Sequence, residues 1–485
     1  MSRTTLEVYS TWSKPPSLGD GSRDGPGPLA SAASGGHARD PVVDGIREIL
    51  AAAFIAVVAV SVCLEVSIGG RLAVAEALLL LALPWLVVSL RPQLDRTAWL
   101  LLAAAAIWLS ALVLTDLVRG TEFRDFARGW ARIGFLVVDF LAMYWLLTTP
   151  RRFLVWLLAF SVGIGLKALL LHTDPATQWK FGLGASVFFG AVAIVLLLER
   201  RGSPGMAHAP PLPVRTSAVA ILALVGVAAT VASLVVNARS AAAAFALSAM
   251  LLLLCVNENA RARASRLIRR RWGVCLVTVL VFLYGFGRLY IFATETGWLG
   301  QEAQARLALQ LLETQDPVFG LIGGGRGEFF ASLRAIQDAP MIGHGSWARS
   351  AEYYGVYVDT LRRMGAAEMA TIMEYVGRRD GHILPTHSHV LGAWVEAGIA
   401  GAAFWLVAAW MLMAACIRTL PAPTAIGLVL LCALPGQLWA LAFSPLGADG
   451  RLFWALLFVG VCRIQASNDR PPVVGPFASA GALVR

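Results

Sequence analysis

Apolar runs of membrane-spanning length recur from residue 45 to residue 464, separated by charged residues or by Pro and Gly. A helix needs about 20 mostly apolar residues to cross about 30 Å of hydrocarbon. Cutting the chain at the polar breaks gives twelve candidate spans: 45–66, 72–90, 97–115, 132–148, 153–171, 181–198, 217–236, 240–256, 273–293, 389–417, 423–442 and 451–464. In hydrocarbon every backbone N–H and C=O must be satisfied internally, which leaves only helices or a closed barrel. The runs do not alternate with period two, and stretches such as 78–83 and 249–254 are apolar all round. That pattern selects packed helices over strands around a wet lumen. The expected fold is all-α, a polytopic membrane helix bundle. Composition agrees, with 58% hydrophobic and 14% charged residues against roughly 25% charged in a soluble domain.

The net charge of +10 would suit nucleic acid, but the basic residues sort by connection, as membrane insertion selects. Arg261, Arg263, Arg266, Arg269, Arg270 and Arg271 follow the eighth span, and Arg200, Arg201 and Arg215 follow the sixth. Both connections are expected in the cytoplasm, and Arg91, Arg96, Arg151, Arg152 and Arg418 agree. One connection dissents. The segment 116–131 belongs outside yet carries Arg119, Arg124 and Arg128, partly offset by Asp116, Glu122 and Asp125. Either the topology slips there or these arginines have another role. The organisation read from the sequence is a disordered cytoplasmic tail (1–44), spans one to nine (45–293), a large periplasmic loop (294–388), spans ten to twelve (389–464) and a cytoplasmic tail (465–485). All six cysteines fall in or at the ends of spans, so neither a disulfide framework nor a thiolate metal site is implied.

The polar density of the outer loop marks it as the place for chemistry. His344, His382, His387 and His389 lie in it or at its end. Apolar residues at helical spacing (Phe329, Leu333, Ile336; Leu361, Met364, Met369, Ile372, Met373, Val376) imply helices that either lie at the membrane interface or form a small packed cap. Where the loop enters the tenth span, His387 is followed by Ser388, Glu396, Gly398 and Gly401. Upstream, Asn237-Ala238-Arg239-Ser240 interrupts two apolar runs, and Gly325-Arg326 precedes Pro340-Met341-Ile342-Gly343-His344-Gly345.

These patches, between residues 237 and 401, resemble the O-antigen ligase and polymerase family of membrane glycosyltransferases. That family has a histidine with Asn, Ser or Gln after it, Gly-x-x-Gly in the following helix, an arginine after a mid-chain turn, and Gly-Arg early in a large periplasmic loop. The resemblance implies a GT-C-like bundle of about twelve helices in the bacterial inner membrane, acting at the periplasmic face. It implies transfer of a glycan from an undecaprenyl-pyrophosphate donor to an acceptor hydroxyl, on a lipid A core for a ligase or on a growing glycan for a polymerase.

The residue types suit that reaction. Guanidinium groups stay charged and hold phosphate oxygens in a fork, which makes Arg239 and Arg326 the candidates for the donor pyrophosphate. His387 is the candidate general base for the acceptor hydroxyl. Attack from the face opposite the pyrophosphate inverts the anomeric centre, and with arginines neutralising the phosphates no metal or cofactor is required. His389, Glu396 and His344 are possible supporting residues, and Gly398 and Gly401 allow close helix approach.

Competing readings remain at this level. An arginine at a span end is ordinarily an anchor. His387, His389 and Glu396 could ligate a metal. His344 and His382 could simply be loop residues bonded to backbone. Lys167 and Asp139, both inside spans, could pair across the bundle; with Arg288 they would also suit a multi-pass transporter or flippase.

Overall fold

A computed structural model describes residues 41–67, 70–90, 93–201, 214–311 and 326–468. Gly325 and nearly all of both expected tails lie outside these residues. The chain divides after Glu48, and the account below concerns residues from Ile49 onward.

Helix α1 (Pro41–Val60) leads through a tight turn into a short antiparallel hairpin, β1 (Glu65–Ser67) and β2 (Arg71–Ala73), in which Val66 faces Leu72. There follow α2 (Val74–Leu90), α3 (Arg96–Arg119), α4 (Phe123–Leu146), α5 (Pro150–Leu171), the single turn α6 (Pro175–Gln178), α7 (Gly184–Arg201), α8 (Thr216–Val235) and α9 (Arg239–Val256). The basic helix α10 (Glu258–Arg270) precedes α11 (Trp272–Glu295) and α12 (Gln301–Leu311). The outer segment holds α13 (Gly327–Asp338), α14 (Ala351–Arg363) and α15 (Ala367–Asp380). Helices α16 (His389–Ala397), α17 (Ile399–Thr419), α18 (Ala425–Phe443) and α19 (Ala448–Asn468) complete the described chain.

Helix starts are written in the sequence. Asp95 accepts from the Ala98 amide at 2.7 Å, Thr149 caps α5 ahead of Pro150, and Thr424 accepts from Gly427. Each cap satisfies an amide that the helix cannot.

Nine helical stretches among the described residues are long and apolar enough to cross a membrane, and 74–88 is a shorter apolar helix. The expected spans at 273–293 and 451–464 coincide with α11 and α19. The expected tenth span, 389–417, is corrected: it is interrupted at Gly398, whose φ of 64° ends α16 and precedes α17. Apolarity runs through the break, so hydropathy alone could not reveal it.

In lipid, helices are held together by packing rather than by exclusion from water. Here a layer of rings forms the centre: Trp108 stacks on Phe404 at 4.9 Å and meets Trp405 edge-on at 5.7 Å, and Trp405 meets Trp454 at 5.3 Å. All four are buried, and such pairs contribute about 0.5–1.5 kcal/mol each beyond area.

Charges inside the bundle are paired differently from the expectation. Lys167 donates to Glu65 of β1 and to Asp449 at the start of α19, not to Asp139. Asp139 is fully buried and neighbours Glu76 and Arg451 instead. Arg451 donates through Nε and Nη2 to the two Glu76 oxygens at 2.7 and 2.9 Å. Arg288 is exposed.

The connections sort into two ends. At one, the Asp95 carboxylate accepts from Tyr144 Oη at 3.0 Å, Arg463 lies over the Tyr144 ring, and the Val214 amide donates to Pro423 O. At the other, the β hairpin, the α3–α4 turn, the outer segment and the α18–α19 turn enclose a common cavity.

The outer segment is a packed cap rather than a set of surface helices. Ala331, Ala335 and Ile336 bury against Ala348, Leu384 and Val395, while Tyr354, Val358, Leu361 and Ala370 form a second cluster. Of the residues at helical spacing, Ile336 and Leu361 are buried but Leu333, Met369 and Ile372 are not. The apolar stretch 361–376 is split at Gly365, so it forms parts of two helices.

Candidate functional site

The histidine segment is positioned by hydrogen bonds on both sides. The Ser388 hydroxyl accepts from the Leu391 amide at 3.0 Å, starting α16, and donates to Leu441 O of α18 at 2.7 Å. On the other side Arg349 and Ile383 form an antiparallel bridge, with Leu384 N donating to Ala348 O and Ser350 N to His382 O. His387, between these anchors, is about half exposed, with Nδ1 at 3.7 Å from Glu328 Oε1.

Arg326 immediately precedes α13. Its guanidinium carbon lies 4.1 Å from the Phe443 ring centre and 4.9 Å from that of Trp439. Burial pulls its pKa below the usual range, with Glu328 opposing the shift. A cation held against aromatic faces and short of water is primed to gain by meeting an anion. Arg326, Glu328, His387 and Ser388 line one cleft with Phe443. Glu328 lies near the imidazole as a charge, beyond hydrogen-bond distance, and no spacing rule pointed to it.

Arg239 opens α9 and lies 5.3 Å from the Tyr290 ring centre, beside the hydrogen bond from Tyr290 Oη to Asn237. It lines neither that cleft nor the large cavity.

His387 also faces a cavity of about 1450 Å³, shared with His389, Glu396, Trp347 and the cations Arg71, Arg124, Arg128, Arg132, Lys167 and Arg451. His389 is buried against the Trp405 ring at 4.9 Å. Burial lowers its pKa to about 4, so its imidazole is neutral at physiological pH. Glu396 is not a free base. It is buried and paired with Arg132, and it accepts from the Trp347 amide at 3.4 Å. His344 serves the scaffold: its Nε2 bonds Ala335 O at 2.8 Å and its amide donates to Val395 O. His382 likewise bonds through its backbone to Gly377 and Ser350. Among the described residues no three His, Cys, Asp or Glu side chains gather as a metal-ligand set, so His387, His389 and Glu396 do not form one.

Two of the three dissenting arginines, Arg119 and Arg128, find a role here. Arg119 donates twice to Gly343 O at 3.1 and 2.9 Å, and Thr115 donates to Ile342 O. Asp116 accepts from the Ser346 amide and hydroxyl and from Trp130, and Asp125 pairs with Arg349 at 2.7 Å. Arg128 lies over Trp347. The α3–α4 turn is thus a clamp on the 340–349 turn, a function that charge counting by connection cannot register. Gly343 and Gly398 make the turn fit. A Cβ on Gly343 would come within 2.8 Å of Glu396 O, and one on Gly398 would collide with Met341 O. The glycine pair therefore serves a turn-to-turn junction rather than the helix-on-helix approach expected for Gly398.

No family model, curated protein or solved structure matches this chain.

Proposed function

We propose that the chain is a glycosyltransferase that moves a glycan from an undecaprenyl-pyrophosphate donor to an acceptor hydroxyl at the periplasmic face of the bacterial inner membrane. In this reading the bundle crosses twelve times, and the cleft, the cavity and the 326–388 cap face the periplasm. The observation that carries the proposal is that Arg326 and His387 line one cleft, from which His387 also faces a large cavity lined by six cations and by the carboxylates of Glu65, Asp380, Glu396 and Asp449. In this reading the acceptor reaches His387 through the large cavity, and the donor pyrophosphate approaches Arg326 from the mouth of the cleft, whose own volume is only about 10 Å³.

In the proposed reaction Arg326 neutralises the pyrophosphate as its charge grows, a contribution of about 3–4 kcal/mol by analogy with an oxyanion donor. Arg239, which lines neither the cleft nor the cavity, is left out of the proposed pyrophosphate site. His387 takes the proton of the acceptor hydroxyl, with the Glu328 carboxylate 3.7 Å from its Nδ1. The hydroxyl oxygen bonds to the anomeric carbon as the pyrophosphate leaves with its electron pair, and the configuration inverts. Ligase and polymerase share these steps and differ in the acceptor. The test is transfer in proteoliposomes from undecaprenyl-pyrophosphate-linked glycan to lipid A core: the native chain transfers and Arg326→Ala does not. Absence of transfer to lipid A core or to a second lipid-linked glycan would refute the proposal.

A further inference from the structure

One residue that lines the large cavity with His387 has no part in those steps. Trp347 adopts φ of 54°, a left-handed conformation in which a bulky side chain is a genuine outlier. Its surroundings enforce it. The amide before the strained bond, that of Ser346, is fixed by Asp116, the Trp347 amide donates to Glu396, and Ala348 O accepts from Leu384 N. Strain of this kind persists only where neighbours over-determine it, and it collects at ligand sites.

What the strained backbone achieves is visible in the side chain. The indole remains 38% exposed and lines the large cavity together with His387. Arg128 sits 5.7 Å from its ring centre. The hydrogen bond from Leu384 N to Ala348 O ties the backbone beside Trp347 to the segment that carries His387 three residues later. Arg71 and Arg124 line the same cavity, are exposed, and pair with no carboxylate among the described residues.

We propose that Trp347 is the stacking platform for the acceptor sugar, with Arg71 and Arg124 binding an anionic substituent on that sugar. The argument rests on the glycosyltransferase reading and extends it to acceptor recognition. A pyranose offers a face of C–H groups whose weak positive charge matches the negative face of an indole. Trp loses little conformational entropy in providing that surface, having only two side-chain torsions. The cations add selectivity, because a site built around unpaired guanidinium groups discriminates against an uncharged sugar.

Binding separates this inference from the reaction. Saturation-transfer NMR on the full chain carrying His387→Ala, with phosphorylated lipid A core oligosaccharide and its dephosphorylated form, reads the subsite without turnover. Trp347→Ala is expected to weaken the phosphorylated oligosaccharide about tenfold or more, and Trp347→Phe by less than about threefold. Arg71→Gln with Arg124→Gln is expected to abolish the preference for the phosphorylated form. In turnover, Trp347→Ala raises the acceptor KM and leaves kcat and the donor KM near their native values. Unchanged oligosaccharide binding in Trp347→Ala, absence of binding to the parent, or a change confined to the donor KM would overturn the platform. Binding that depends on Trp347 in a chain that transfers no glycan would instead refute the transferase reading and leave the subsite standing.

Discussion

At the scale of single residues, the two neighbouring histidines divide into different tasks. His387 is half exposed at the cleft, whereas His389 is stacked on Trp405. We expect His387→Ala to abolish glycan transfer in the proteoliposome assay, a loss of at least about 10²-fold, with membrane insertion intact. His389→Ala should retain a measurable fraction. His389 carries a further consequence through its low pKa. Unfolded, its imidazole takes up a proton near pH 6.5; folded, it does so only near pH 4. Because the unfolded chain binds the proton first, stability is fully present above pH 6.5 and is lost as pH falls toward 4. At about 1.4 kcal/mol per pH unit that window amounts to roughly 3 kcal/mol. The thermal midpoint of His389→Leu in detergent should therefore fall less than that of the native chain between pH 7 and pH 4.5. Equal acid sensitivity would show that His389 is not held neutral by its surroundings.

At the scale of elements, the junction between the clamp turn and α16 should be the most sensitive point in the molecule. Gly398→Ala adds a Cβ against Met341 O at a positive φ, and we expect a loss of at least about 2 kcal/mol read as a lower thermal midpoint. Arg132→Ala strands the buried Glu396, at a cost of about 3–5 kcal/mol for breaking a buried pair. Adding Glu396→Gln to Arg132→Ala should recover part of that midpoint; no recovery would mean that Arg132 stabilises by packing alone. These elements also show what the sequence could carry. Apolar length placed the helices, and the types and spacing of Arg326 and His387 selected two residues that share a cleft. The break at Gly398 was hidden because both sides of it are apolar. Lys167 and Asp139 were expected as partners because both are ionisable groups in spans, yet their partners Glu65, Asp449 and Glu76 come from elements whose mutual placement has no local signal. Trp347 left no mark at all: its left-handed φ is imposed by Asp116 and Glu396, far away in the chain.

At the scale of the whole molecule, the proposed orientation predicts a labelling pattern. With an impermeant thiol reagent on intact spheroplasts, Glu352→Cys should react and Arg263→Cys should not; the reverse pattern would put the cleft on the cytoplasmic side and defeat the proposed reaction. The clamp also bears on how the chain is made. Thr115 and Arg119 grip Ile342 and Gly343 across more than 220 positions, and Arg132 reaches Glu396 across 264. Closing such distances is slow. A translating ribosome delivers the α3–α4 hairpin long before the 340–349 turn exists, so Asp116 and Asp125 have only their local partners Trp130 and Arg128 until Ser346 and Arg349 are made. Assembly of the cleft is therefore among the last events of biogenesis, and a nascent chain stalled before α16 carries Arg326 and His387 but not Leu391, Ala442 and Phe443, which complete the cleft.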